Sequence, residues 1–418
     1  MSTRPKCVLA YSGGLDTSVA IGWLTEQLGY DVVTLTADLG EARDVDGVAR
    51  RALRTGAVSA HVADARAVFI DEFCFPTLAA GALYERAYPL ATALARPLIA
   101  KLLVDVAREE GAVAVAHGCT GKGNDQVRFD VAVGALAPEL RVVAPVRDWD
   151  MGRPQEIEYA AQHGIEVPVS RESPYSVDAN LWGRSVECGV LEDPWAEPPG
   201  DVFEWTVADG DTAGGATLAI GFERGMPITL DGTRLDGVEL VTRLNALAGQ
   251  HGVGRVDHVE NRLVGIKSRE VYEAPAALCL HQAHTALETM TLTRDLVAFK
   301  QQVADEWARL VYDGLWFSAL RSALDAFVQA TQTHVTGDVR LRLAHGSAQV
   351  IGRRAPGSLY RHDLATYDRN EDSFDHSAAR GFIELFGLPL RTQTRVQGAL
   401  HDLGPSSVPR RRLLHADA

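Results

Sequence analysis

Two glycine-rich segments carry most of the chemistry in this sequence. The first, Ala10-Tyr11-Ser12-Gly13-Gly14-Leu15-Asp16-Thr17-Ser18, follows an apolar run and opens a helical pattern. Adjacent glycines let backbone approach a ligand closely, and the free amides and positive dipole end of a helix start attract anions. Ser12, Thr17 and Ser18 add hydroxyl donors, and Asp16 is placed to cap the helix. A turn of this kind suits the holding of a pyrophosphate. It matches neither G-x-x-x-x-G-K-[ST] nor G-x-G-x-x-G. Taken without further context, a plain glycine turn with an N-cap is the competing reading.

The second segment, His117 to Phe129, reads HGCTGKGNDQVRF. Gly118, Gly121 and Gly123 allow the backbone to wrap a ligand, at an entropic cost that needs a compensating contact. Thr120, Asn124 and Asp125 offer donors and acceptors. Asn124 and Arg128, four apart, share a helix face and can grip one ligand. Arg128 suits a carboxylate, and Lys122 supplies a point charge. A flexible loop with solvated charges is the alternative.

Both segments fall where strands end. Apolar runs at 6–11, 31–38, 57–64, 112–117 and 141–146 alternate with amphipathic stretches, the first from Asp16 to Leu28. That alternation predicts an α/β domain with a parallel sheet covered on both faces, which binds ligands at strand carboxyl ends. Pro97 is expected near the start of the helix within 91–110, or to kink it. After 166–176 the pattern changes. A Pro-rich loop (195–201) precedes a hairpin signal at Asp231-Gly232, helices from about 274 to 330 broken near Gly314, and a second hairpin (339–352) turning at His345-Gly346-Ser347. The expected organisation is a nucleotide-binding domain over 1–170, an α+β domain over 174–360 and a C-terminal extension over 361–418.

Composition sets the outer limits. The chain has 418 residues, 46% hydrophobic and 23% charged, with net charge −14, which fits a multi-domain globular protein and disfavours nucleic acid as the main partner. No apolar run is long enough to span a bilayer, and no signal peptide is read. The five cysteines are widely spaced without C-x-x-C, which fits a reducing cytoplasm rather than disulfides or zinc.

The string S-G-G-x-D-[ST]-S at 12–18 resembles the PP-loop of the N-type ATP pyrophosphatases, which cleave ATP to AMP and pyrophosphate while adenylating a substrate oxygen. Taken with HGCTGKGNDQVRF, SVDANLWGRSVECGVLEDP, HGVGRVDHVENRLVGIKSREVYEAPA and LVYDGLWFS in that order, the chain resembles the argininosuccinate synthase family through about residue 320, and SLY at 358–360 extends the match. The resemblance implies ATP-dependent joining of citrulline to aspartate through citrullyl-AMP, in arginine biosynthesis or the urea cycle, by a cytoplasmic homotetramer using Mg²⁺. It places ATP contacts on Ala10 through Ser18, Ala37 and Gly118. Aspartate falls on Thr120, Asn124 and Asp125. Citrulline falls on Tyr88, Asn124, Arg128, Ser176, Ser185, Glu260 and Tyr272. Asp16 and Asp125 are the expected catalytic carboxylates, Asp125 orienting or deprotonating the amine, and no protein metal ligand is assigned.

Four positions depart from the family pattern: Ala93 for a citrulline-contacting Ser, Glu41 for Gln near ATP, Val146 for Trp and Ala319 for Pro. They motivate an alternative in which aspartate is joined to a different ureido or amide compound. A tRNA-modifying enzyme and a non-catalytic ligand sensor are further options, disfavoured by the acidic charge and by the intact loops. His281 and His284 read as ordinary helix residues, Trp307, Tyr312 and Trp316 as core or interface aromatics, and Arg410–Arg412 as a solvated tail.

Overall fold

The computed structural model describes residues 4–41, 44–149, 151–166, 174–207 and 215–398. The expected boundary near residue 170 and Arg410–Arg412 lie outside them. Contacts gather residues 1–359 into one compact unit and 360–418 into a second.

Strands β1 (Lys6–Ala10), β2 (Asp31–Asp38), β3 (Ser59–Asp64), β4 (Ala114–Ala116) and β5 (Arg141–Val143) form one parallel sheet in the order β3-β2-β1-β4-β5. Its faces follow the two-residue alternation of strands. Cys7 and Leu9 pack with Val19, Leu24 and Ala52 on one side, whereas Val8 packs with Leu103, Val104 and Phe129 on the other. The chain moves outward from β1 to β3, then returns to β4 on the other side of β1. The crevice between β1 and β4 is therefore a topological switch point. The two glycine loops leave these two strands.

Three expectations need adjusting. The third strand, expected over 57–64 in a sheet covered on both faces, spans Ser59–Asp64 and is half-exposed, because β3 is one edge of that sheet. The fifth run, expected as a strand over 141–146, is strand only at Arg141–Val143, because Pro145 opens a short helix, Pro145–Asp148. Pro97 lies inside the helix Ala91–Glu110, in its second turn, where it removes the donor that the Ala93 carbonyl would otherwise receive.

The remaining strands are β6 (Ser176–Asn180), β7 (Gly183–Glu187), β8 (Ala216–Glu223), β9 (Met226–Leu230), β10 (Thr233–Arg234), β11 (Arg255–Asn261), β12 (Lys267–Glu273), β13 (Gly337–Ala344) and β14 (Ser347–Arg354). They form two sheets, β11-β12-β7-β6 and β10-β9-β8-β13-β14. Both expected hairpin turns are present, with positive φ at Asp231 and Gly232 and at His345 and Gly346. Helices Pro275–Thr291, Arg294–Tyr312 and Ala319–Thr331 follow, with a break at Gly314; Ser318 caps the last, so Ala319 simply opens it.

His281 and His284 are buried in the first of these helices. Burial, then the neighbouring His284 and Lys300 charges, pushes His281 down to about 3, and His284 bonds Gln332 at 2.8 Å. They are core residues. Trp307 and Trp316 are likewise buried, Trp307 bonding Asp325 and Trp316 stacking on Phe73.

The four-stranded sheet is tied to the parallel-sheet half by hydrogen bonds. Leu181 N–H donates to Leu39 at 2.9 Å, and Trp182 Nε1 donates to the Pro89 carbonyl at 3.0 Å. At Gly40 (φ 89°) a Cβ would lie 2.2 Å from Leu181, so only glycine permits that approach. The second unit contains helices His376–Phe386 and Leu388–Gln397, which leave Phe382, Leu385, Phe386 and Leu390 exposed.

Candidate active site

After β1 the chain is pinned to the sheet: Tyr11 N–H donates to Leu35 at 2.9 Å and Thr36 Oγ1 donates to the Tyr11 carbonyl at 3.1 Å. Gly13 then adopts φ 78°, and Gly14 is the N-cap of helix Leu15–Leu28 with no side-chain cap. Asp16, expected to cap, instead sits in the first turn. The cap site is glycine, so the first-turn amides have no side-chain acceptor of their own. Ser12 Oγ lies 3.1 Å from Thr17 Oγ1 and accepts from Gly14 N–H at 3.3 Å.

The second loop abuts the first. A Cβ added to Gly118 would fall 2.8 Å from Thr17 Cγ2. Its ring neighbour His117 is fully engaged, Nε2 lying 2.9 Å from Asp130 while Nδ1 accepts from Cys119 N–H at 3.2 Å. Burial pushes the Cys119 thiol well above its usual range, so no thiolate nucleophile stands here.

The four-stranded sheet supplies the opposite wall through its alternation. Ser185 pairs with Asp178 on one side and Tyr272 on the other. Val177, Val186 and Val271 occupy the alternate positions, and Val186 and Val271 pack into a small core with Leu191 and Val202. The face of Ser185, Asp178 and Tyr272 is thus polar, while the opposite face packs a small apolar core beside the buried Arg184–Glu273 pair. The polar face meets both glycine loops around a cavity of about 570 Å³.

Ala10, Tyr11, Ser12, Asp16, Thr17, Ala37, Tyr88, Gly118, Thr120, Asn124, Asp125, Arg128, Ser176, Ser185, Glu260 and Tyr272 all line this cavity, as does Glu41. Gly13, Gly14, Leu15, Ser18 and Lys122 do not. The Ser18 side chain is buried against Tyr11, 3.0 Å from its hydroxyl. Lys122 is exposed. Ala93 is also off the wall, fully buried, while neighbouring Thr92 reaches the cavity with its hydroxyl 3.5 Å from Ser185.

Several walls escaped sequence reasoning: Arg96, Asp178, Glu187, Arg262 and Glu270. Arg96 interrupts the apolar run Ala91–Ala100, and that interruption was the available signal. Its guanidinium bonds Asp125 at 2.8 Å and also Asp178, while its Nε is buried without a hydrogen-bond partner. Arg128 Nη1 donates to the other Asp125 oxygen at 2.8 Å, and Arg128 Nη2 is likewise buried and unpartnered. Burial alone would raise the Asp125 carboxyl, but Arg96 and Arg128 outweigh it and hold it below the usual value. A carboxylate so held is a weaker proton acceptor than a free one and is better suited to orienting a cationic or hydrogen-bonding group.

Across the cavity, burial and then the Glu187 charge push Glu270 up to about 8, even though Arg262 donates to it at 2.9 Å. Beside Asp16, buried Glu156 is pushed up to about 7 by burial first and then by the Asp16 carboxylate. Among the described residues no group of three or more His, Cys, Asp and Glu side chains is arranged to hold a metal ion. The site thus offers anion-binding amides, guanidiniums, carboxylates and phenols, without an activated thiol or imidazole.

A switch-point crevice with an uncapped helix start on one strand and an abutting glycine loop on the next defines a nucleotide-handling α/β enzyme. Family profiles agree: residues 6–166 match the arginosuccinate synthase N-terminal HUP domain, and 175–393 match the arginosuccinate synthase C-terminal domain. The chain is 60% identical over 387 residues to the argininosuccinate synthase of Rubrobacter xylanophilus, covering 92% of this chain and 94% of that one. It is 58% identical over 396 residues to that of Symbiobacterium thermophilum (94% and 98%) and 55% over 397 to that of Oceanobacillus iheyensis (95% and 95%). The chain belongs to the argininosuccinate synthase family.

Proposed function

We propose that this chain joins citrulline to aspartate at the expense of ATP, releasing AMP and pyrophosphate, as a step of arginine biosynthesis. The observation that carries this reading is the single cavity walled by both glycine loops and by the polar face of the β11-β12-β7-β6 sheet.

In this reading the pyrophosphate lies at the start of helix Leu15–Leu28, against the first-turn amides with Ser12 and Thr17. Ala37 and Gly118 border the nucleotide. The citrulline ureido oxygen attacks the α-phosphorus and pyrophosphate leaves. The aspartate amine then attacks the activated carbon, and the C–O bond to AMP breaks. An amide-type oxygen is a poor leaving group, and adenylation turns it into a good one. The protein contributes positioning and fixed charge rather than a covalent nucleophile.

Arg128 suits the citrulline carboxylate, its buried Nη2 lacking a partner, and Glu260 suits the ammonium. Ser176, Ser185, Tyr88 and Tyr272 surround the remainder, with Thr92 offering a hydroxyl next to the position where the family pattern has Ser. Asp125, ionised, orients the attacking amino group of aspartate, which enters the step as the neutral amine, beside Thr120 and Asn124. Mg²⁺ fits as an ion held by nucleotide phosphates and water, with Asp16 the carboxylate on the phosphate turn. When bound it neutralises phosphate charge.

Self-association into a tetramer is part of the proposal. The exposed apolar residues of helix His376–Phe386 support it, and sedimentation of the full chain against the same chain ending at Leu359 tests it. A cytoplasmic setting agrees with five unbridged cysteines and with the lack, among the described residues, of a helix long and apolar enough to cross a membrane.

The test of the reaction is to measure AMP and pyrophosphate with each substrate omitted in turn. Both products should require citrulline and ATP together. Product release that ignores citrulline would sink the assignment.

A further inference from the structure

Tyr312, expected from its sequence context to be a core or interface aromatic, has a more specific place. It is the last residue of helix Arg294–Tyr312, 1% exposed, and stands behind the cavity rather than on its wall. Its phenol oxygen accepts from Asn124 Nδ2 at 2.8 Å and donates to Glu260 Oε1 at 2.5 Å. Its backbone carbonyl accepts from Arg128 Nε at 2.9 Å. The Arg128 guanidinium also lies 4.8 Å from the ring centroid.

Each partner is thereby left one way to sit. The Asn124 carbonyl oxygen accepts from Leu263 N–H at 2.8 Å, so its amide cannot flip without losing two bonds. The second Glu260 oxygen accepts from Tyr272 at 2.5 Å, so the carboxylate is gripped at both ends. The Tyr312 ring cannot drift, because it stacks on Tyr84 at 3.5 Å with planes 3° apart. Just beyond it Gly314 takes φ 81°, and a Cβ there would fall 2.8 Å from Arg128 Cα, so the turn closes tightly on Arg128.

Asn124 ends the loop after β4, Arg128 lies on the helix Asp125–Leu136 that it opens, and Glu260 comes from β11. Through side-chain and backbone bonds, Tyr312 joins all three. We propose that Tyr312 is a positioning residue for the ureido amino acid, fixing Asn124, Arg128 and Glu260 in one arrangement across the two halves of the site. The proposal rests on the ligase reading above and deepens it. Removing the phenol oxygen leaves a buried amide N–H and a buried carboxylate oxygen unpaired, and frees both groups to turn. The loss falls on the ligand these groups read. The phosphate turn, which Tyr312 does not touch, keeps its geometry.

The experiment is steady-state kinetics of Tyr312→Phe, with Tyr84→Phe as comparison, because Tyr84 shares the stack but its hydroxyl donates to the Asn261 carbonyl. Tyr312→Phe should raise the citrulline KM about tenfold or more, with the ATP KM within about twofold of wild type. Tyr84→Phe should leave both within about twofold. A double-mutant cycle of Tyr312→Phe with Glu260→Gln, read on citrulline KM, should be strongly non-additive. If the Phe variant does not fold, Tyr312→His keeps a planar ring with one donor and one acceptor, and the same citrulline-selective rise is expected. Equal rises in citrulline and ATP KM, no change in either, or an additive cycle would overturn the proposal. A wild-type protein that binds ATP yet forms no citrulline-dependent AMP would fault the ligase reading itself, and not Tyr312.

Discussion

Arg96 donates to Asp125 at 2.8 Å, and the carboxylate it holds is the one the aspartate reading depends on. Arg128 holds the other oxygen at 2.8 Å. Because the two guanidiniums outweigh burial, the Asp125 pKa is lowered on folding, and its share of stability is present above the ordinary carboxylate range and lost as pH falls through the folded value.

Replacing Arg96 by Gln removes one of these charges while burial remains. The Asp125 pKa should rise, and the acid limb of kcat/KM for aspartate should move up by roughly one pH unit. Profiles carried down to the acid limit of folding read this move, and an unmoved limb would separate Arg96 from Asp125 function.

Glu156 titrates in the opposite sense. Its pKa is raised by burial and then by Asp16, to about 7, so the folded state is favoured by the protonated form. Stability falls as pH rises from the ordinary value near 4.5 through 7. Glu156→Gln cannot ionise, so its Tm should exceed wild type at pH 8 and the gap should close toward pH 4.5. Differential scanning at the two ends checks the sign.

The two loops can be perturbed separately. Gly13 has φ 78°, and a Cβ would meet Val48 and the Arg51 guanidinium at 3.0–3.2 Å, so Gly13→Ala should cost about 1–2 kcal/mol of stability by urea titration and raise the ATP KM. Gly118 carries no such backbone strain; its added methyl would press on Thr17 alone. Gly118→Ala should therefore raise the ATP KM several-fold with a smaller loss of stability.

Glu273, fully buried, serves the fold. It accepts from Arg184, the backbone of Glu204, Trp205 and Thr206, and the Thr206 hydroxyl, all at 2.7–3.0 Å. Glu273→Ala leaves the buried Arg184 guanidinium with only Glu204 and the Val202 carbonyl as partners and strands the backbone donors of 204–206, and should cost about 3–5 kcal/mol. Protein that remains folded at low temperature should keep near-normal KM values, which separates this pair from the cavity carboxylates.

The parallel sheet was legible because its strands are buried on both faces and read as continuous apolar runs. At the two sheet edges, β3 and β5, that pattern overstated burial. The hairpins at Asp231-Gly232 and His345-Gly346 were legible because their turns require residues that tolerate positive φ. The phosphate turn was visible as a motif, but the side chains facing the cavity were not. Ser18 sits within the motif yet turns inward to Tyr11, and Asp16 lies in the first turn where a cap was expected.

Sequence alone determined the elements and the two loops, since helix starts, strand alternation and tight turns depend on residues a few positions apart. Tertiary structure decided which groups are charged and which are held. Arg96 and Asp178 are 82 residues apart and meet as an ion pair, and Asn124 and Tyr312 are 188 apart and share a hydrogen bond. Ionisation and orientation are set by neighbours in space and by exclusion of water, and neither is written in local order.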